Sequence, residues 1–147
     1  MNETVGSILG RKGREVWSVP PDATVYDAVA LMAAKSVGAL LVISEGSLLG
    51  IVSERDYARK VILQGRSSKE TQVRDVMTTG LVTVTPDASV DDCMKIMTYN
   101  RIRHLPVLDR GELVGIVSIG DMVKAIIADQ AHTIAQLHTY IGVKYPV

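Results

Sequence analysis

Gly50-Ile51-Val52-Ser53-Glu54-Arg55-Asp56 and Gly115-Ile116-Val117-Ser118-Ile119-Gly120-Asp121 share five residues at the same spacing, 65 positions apart. The match extends well beyond them. Val16–Ile62 aligns on Leu81–Ile127 at the same offset of 65 without a gap, and 17 of the 47 paired positions are identical. A second cluster of identity sets Pro21-Asp22-Ala23-Thr24-Val25 against Pro86-Asp87-Ala88-Ser89-Val90. A self-match at one fixed period defines the structural unit before any local motif does. Two related units imply a pseudo-symmetric object whose sites come in pairs.

Each unit reads as β-α-β-β-α. A short extended stretch, Val16–Val19 or Leu81–Val84, ends at a Pro-Asp or Thr-Pro-Asp turn. Apolar residues at helical spacing predict helices over Val25–Lys35 and Val90–Asn100. Dense apolar strands follow at Ala39–Ile43 and His104–Leu108, then turns at Glu45-Gly46 and Arg110-Gly111. Return strands at Leu48–Val52 and Leu113–Val117 complete hairpins, and second helices are expected over Glu54–Leu63 and Ile119–Ala128. The expected organisation is an N-terminal helix and basic loop (1–15), a first repeat (16–63), a linker (64–80), a second repeat (81–128), and a C-terminal helix and tail (129–147). Thr4–Leu9 suits a short helix, and Val73–Met77 one helical turn. Ile134, Leu137, Tyr140 and Ile141 form a terminal apolar stripe, suited to docking on its own core or on a twin subunit more than on a target.

Composition narrows the function classes. Sixteen basic residues balance sixteen acidic ones, so no global field draws the chain to nucleic acid or to an anionic membrane. The single cysteine, Cys93, excludes an intramolecular disulfide and a multi-cysteine metal site. It stands where the first repeat has Ala28, on an apolar helix face, which suits a small buried thiol. His132 and His138 are six apart and do not share a helix face as metal ligands would, so no metal is expected. Met1-Asn2-Glu3-Thr4 shows no apolar leader, and the longest apolar runs are too short for a bilayer. A cytoplasmic protein is the expectation.

Two β-α-β-β-α units, each carrying Gly-Ile-Val-Ser-x-x-Asp into its last helix, resemble a tandem pair of CBS (cystathionine-β-synthase) domains, the arrangement called a Bateman module. The resemblance covers residues 16–127, and Ser53-Glu54-Arg55-Asp56-Tyr57 is similar to the form found in small stand-alone bacterial members. It implies an α/β (α+β) fold of two CBS repeats packed as one compact module.

The residues themselves allow a plainer reading of the site. Ser-x-x-Asp at a helix start approximates a capping box, and Thr24-x-x-Asp27 and Ser89-x-x-Asp92 repeat it elsewhere. The pattern alone is therefore not a binding signal. Ser53 and Ser118 differ in following a Gly-Ile-Val strand, where free helix amides favour a phosphate. The resemblance implies that Asp56 and Asp121 hold a ribose, with Ser53 and Ser118 beside the ribose-phosphate. It also implies that the aspartate of one repeat faces the strand segment of the other. One cleft would then gather Ser53, Arg55, Asp56, Arg103 and His104, ahead of Pro106, and the forked guanidinium donors suit phosphates. The other would set Ser118, Gly120 and Asp121 against Gly38 and Ala39, with more room and less charge. Val19, Pro20, Val84 and Thr85 are the strand ends that flank the base in this family. Read alone, Arg55 and Arg103 are equally well solvated surface residues, His104 a strand-edge cap, and the strand ends only strand ends.

No nucleophile, base and orienting acid stand at a telling spacing, and Gly10-Arg11-Lys12-Gly13 lacks the context of a phosphate loop. The expectation is a non-enzymatic regulatory module binding an adenine nucleotide: AMP above all, with ADP, ATP or NAD(H) as further ligands. It would act as a homodimer on an unspecified downstream protein, without nucleic acid or membrane. The competing expectation is a ligand-independent interaction scaffold.

Overall fold

The computed structural model describes residues 3–140, except the side chains of Thr139 and Tyr140; Ile141 of the terminal stripe lies outside the described residues. The chain forms two compact units, Glu15–Val82 and Met1–Arg14 with Thr83–Val147.

The first unit holds β1 (Ser18–Val19), α2 (Val25–Lys35), β2 (Ala39–Ser44), β3 (Ser47–Ser53) and α3 (Glu54–Tyr57), while α1 (Val5–Lys12) belongs to the second. Its sheet runs β1-β2-β3, with β1 parallel and β3 antiparallel to β2. Glu45 and Gly46 both take positive φ, 51° and 77°, which matches the right-handed twist of the β2–β3 hairpin. Thr24 caps α2 by accepting the Asp27 amide at 3.1 Å, and Ser36 ends it in the left-handed conformation. Met32, Leu40, Val42, Val52, Val61 and Val76 close the core, with Trp17, Tyr57 and Met77 packed against it. Burying each such aliphatic side chain stabilises the fold by about 1.5–3 kcal/mol. After Tyr57 the expected helix continues as a π-helix over Ala58–Ile62, and Gly65 at φ 69° follows.

The second unit repeats this plan with α4 (Val90–Asn100), β4 (His104–Asp109), β5 (Glu112–Ser118) and α5 (Ile119–Tyr140). Even the unusual backbone angles recur at an offset of 65: Arg101 and Arg110, at φ 55° and 53°, match Ser36 and Glu45. Two features depart from the sequence expectation. The strand over Leu81–Val84 shrinks to one bridge, Val84 to Val107. In the first unit the Leu41 N–H donates to the Trp17 carbonyl at 3.1 Å; the matching residue is Pro106, which has no N–H to give. The two helices expected near Ile119–Ala128 and from His132 onward are one helix, α5, because no glycine or proline interrupts Ala128-Asp129-Gln130-Ala131. No described helix is long and apolar enough to cross a membrane.

A further pairing links the ends of the repeats. In the second unit, the Val5 N–H donates to Ala88 O (2.9 Å), Gly6 to Pro86 O (2.7 Å), and Val90 to Glu3 O (3.0 Å). In the first unit, Val73 donates to Ala23 O (2.8 Å), Arg74 to Pro21 O (2.9 Å), and Val25 to Thr71 O (2.9 Å). The acceptor and donor positions on the repeats differ by 65, and those on the flanking segments by 68. Residues 3–9 and 71–77 are thus equivalent pieces. Each unit carries one, and the second begins the 3-10 turn Val73–Asp75.

Candidate functional site

Of the four Ser/Thr-x-x-Asp turns, all four use the hydroxyl as a cap. Only two turn the carboxylate back. The Asp56 Oδ2 accepts from the Ser53 amide at 3.0 Å and from its hydroxyl at 3.1 Å, and the Asp121 Oδ2 accepts from the Ser118 amide at 2.8 Å. These are the two turns that follow Gly-Ile-Val, at the end of the return strands β3 and β5. The reciprocal bonds fix each aspartate at the helix start, where the dipole favours its charge.

Each of these carboxylates also holds a lysine. In the first unit, the Lys60 Nζ lies 2.9 Å from Asp56 Oδ1, and the Thr78 hydroxyl donates to the same oxygen at 3.2 Å. Lys60 donates as well to the Val76 carbonyl at 2.9 Å. Asp56 is therefore nearly closed off, with 8% of its surface exposed. In the second unit, the Lys12 Nζ lies 2.7 Å from Asp121 Oδ2 and donates to the Ile116 carbonyl at 2.9 Å. Burial, the largest single influence, would raise the Asp121 carboxyl; the Lys12 and Ser118 contacts together outweigh it and hold the group below the ordinary carboxylate range.

The strand segments stand beside the helix starts of their own repeats. Ala39 pairs with Ser53 and His104 with Ser118, while the Glu54 amide donates to Gly38 O at 3.1 Å and the Ile119 amide to Arg103 O at 2.8 Å. His104 is half-buried, and burial first, then the Lys12 charge, lowers its pKa against the opposing pull of Asp121. Arg103, Gly120, Thr85 and Pro20 are exposed; Arg55 is half-buried; Val19, Val84 and Pro106 are buried at the strand ends. Thr85 is tied to the adjacent Asp87 carboxylate. Cys93 is buried and its thiol is pushed up to about 11, by burial and then by the Asp92 charge, which keeps it unreactive. Among the described residues, no cluster of His, Cys, Asp or Glu has the geometry of a metal site.

Lys12, Lys60 and Thr78 carry no motif, and the sequence pattern does not mark them. Lys60 was available from its i,i+4 spacing to Asp56. Lys12 and Thr78 lie just beyond the segments matched at offset 68, and no signal in the sequence pairs them with the aspartates. There Val5 and Val73 are the one identity over 3–9, with Ile8 and Leu9 against Val76 and Met77 as apolar matches.

The site can be set against known proteins. The family model for the CBS domain matches residues 5–62 and 73–128, so each match begins at the equivalent residues Val5 and Val73. A mitochondrial CBS domain-containing protein of Arabidopsis thaliana, CBSX3, is 45% identical over 148 residues, which is 94% of this chain and 71% of that protein. The structure of a CBS-domain protein from Burkholderia ambifaria superposes with a TM-score of 0.84 at 53% identity, covering 87% of this chain and 96% of that one. The CBS domain pair of MJ0100, solved with 5′-methylthioadenosine and S-adenosylmethionine, has a TM-score of 0.77 over 88% of this chain and 99% of its own; at 23% identity this shows a shared fold alone. The chain belongs to the CBS-domain family and carries two of its domains in tandem.

Proposed function

We propose that the protein is an adenine-nucleotide-binding regulatory module, taking AMP, ADP or ATP, and NAD(H) where room allows. The observation that carries this reading is the selective return of two carboxylates, Asp56 and Asp121. Each is held rigid at a helix start, with an ammonium 2.9 or 2.7 Å away. A fixed carboxylate accepts well from a pair of ribose hydroxyls, which at Asp56 would take the places now held by Lys60 and Thr78, and helix amides with a neighbouring cation suit phosphate. Ser53, Ser118, Arg55, Arg103 and His104 complete the polar part of the proposed contacts, with Gly38, Ala39 and Gly120 leaving space. Val19, Pro20, Val84, Thr85 and Pro106 flank the base. The adenosine-type ligands bound by the MJ0100 pair agree with this assignment. The module works without catalysis, as a cytoplasmic homodimer. Its nucleotide favours one arrangement of repeats or subunits, and a partner protein reads that arrangement.

A ligand-independent scaffold is the second reading, favoured by the exposed apolar residues Val123, Ile127, Ile134 and Leu137 of α5. Thermal shift with AMP, ATP and NADH separates the two, since a ligand at 100 times its Kd raises stability by about 2.7 kcal/mol. A rise in Tm with any of the three supports the nucleotide module. No shift with all three supports the scaffold. Arg55→Ala should weaken AMP more than adenosine, and equal losses would remove Arg55 from the phosphate role.

A further inference from the structure

Two lysines sit on the two aspartates, but they come from different places. Lys60 is on the helix of its own aspartate, one turn on. Lys12 is 109 residues from Asp121, at the last position of α1, and Gly13 follows at φ 98°. The helix that presents Lys12 is anchored independently of that contact. Val5 and Gly6 donate to Ala88 and Pro86 carbonyls, Leu9 is buried, and its tip lies over Gly115. The Lys12 side chain is 34% exposed, so its four-carbon stem can swing while the helix stays in place.

We infer that Lys12 is a partner-switching cation: it neutralises Asp121 in the empty protein and passes to the phosphate of a bound nucleotide, so the second repeat selects phosphorylated nucleosides over plain ones. This rests on the proposed nucleotide site at Asp121. Ribose hydroxyls are neutral donors, and when they take the carboxylate oxygen that Lys12 now holds, the ammonium gives up its 2.7 Å contact and keeps only the Ile116 carbonyl as a direct partner. An exposed ammonium that loses a direct charge-assisted contact forfeits a modest part of its stabilisation, because solvent screens what remains. A phosphate restores the balance within reach of the same side chain; adenosine and 5′-methylthioadenosine bring nothing to restore it, and a sulfonium adds a like charge. Arg11, the other cation at the end of α1, is paired with Glu3, while Lys12 contacts Asp121. Burial first, then the Lys12 charge, lowers the pKa of the neighbouring His104, with Asp121 opposing and Arg103 adding to the shift.

Calorimetry with AMP and adenosine on the full chain tests this, using the wild type, Lys12→Met, Lys12→Arg and Asp121→Asn, with Tm recorded for each. Lys12→Met keeps the stem and removes the charge. The wild type should prefer AMP to adenosine by about tenfold or more, the worth of one charge-assisted contact. In Lys12→Met the preference at the second repeat collapses, with AMP weaker there and adenosine equal or tighter, while Lys12→Arg retains it. If Lys12→Met weakens both ligands equally or leaves their ratio unchanged, the switching role is overturned while the nucleotide site stands. If Asp121→Asn leaves AMP binding untouched, or the wild type binds neither ligand, the site itself falls and the switch with it. Should Lys12→Met melt early, Lys12→Gln provides the same comparison.

Discussion

Gly50 and Gly115 occupy matching positions, yet alanine should be tolerated very differently at the two. A Cβ on Gly50 would lie 2.6 Å from the Thr78 carbonyl oxygen and 3.1 Å from Met77 Sδ. A Cβ on Gly115 would lie 2.8 Å from Leu9 Cδ2, the far end of a flexible side chain. The Thr78 carbonyl cannot rotate away, because it accepts the Ile51 amide at 3.0 Å while the Thr78 amide donates back to Ile51 O at 2.8 Å. Relief requires moving residues 77–78 off the edge of β3. Overpacking of this kind costs about 1–3 kcal/mol, and each weakened backbone hydrogen bond adds about 0.5–1.5 kcal/mol. Against this stands roughly 0.5–1 kcal/mol gained by replacing a strand glycine. Gly50→Ala should therefore destabilise by about 2–4 kcal/mol, and Gly115→Ala by about 1 kcal/mol or less once Leu9 changes rotamer. At about 3 °C per kcal/mol for a chain of this size, the first Tm falls by roughly 6–12 °C and the second by about 3 °C. Thr78 also donates to Asp56, so Gly50→Ala should loosen the first repeat's carboxylate as well. Scanning calorimetry and urea unfolding measure the difference. Equal losses, or a larger loss for Gly115→Ala, would refute the close approach at Thr78; the double variant Leu9→Ala/Gly115→Ala should remove the residual clash.

Other expectations follow from single groups. His104 has a folded pKa below the ordinary 6.5, chiefly through burial, so the unfolded chain binds more protons between those values. Stability should rise with pH across that window, by at most about 1.4 kcal/mol per pH unit, and His104→Gln should flatten that part of the urea-midpoint profile. Cys93, buried with its thiol at about 11, should react with a thiol reagent at pH 7.5 only as fast as the protein opens, and fully in denaturant. Thr24→Ala and Ser89→Ala should each cost about 1 kcal/mol in unfolding without changing AMP affinity, because their caps lack a returned carboxylate.

The duplication makes most of the architecture legible in the sequence. Both first helices, Val25–Lys35 and Val90–Asn100, lie where apolar spacing puts them, and both hairpins turn at Glu45-Gly46 and Arg110-Gly111. What the residues hid was decided by partners distant in sequence. Pro106 looks like any strand proline until its missing N–H is set beside the Leu41–Trp17 bond it would have matched. The equivalence of 3–9 and 71–77 rests on backbone bonds, which leave almost no mark on side-chain identity. The candidate site was half legible. The Ser-x-x-Asp pairs could be found, but four looked alike; of the lysines that distinguish two of them, Lys60 lies one turn on and Lys12 arrives only through packing. Lys12 gives the second repeat's acid a cation where the sequence suggested little charge.

The most direct measurement is calorimetric titration of AMP into the wild type, Asp56→Asn, Asp121→Asn and the double variant, each shown to be folded by its melting transition. Asparagine keeps the side-chain volume while removing the charge that holds the lysine in the empty protein and that a ribose diol would take. The account predicts that the wild type binds AMP, that each single change weakens binding at one repeat only, and that the folded double variant no longer binds. A folded double variant that binds AMP as the wild type does would contradict it.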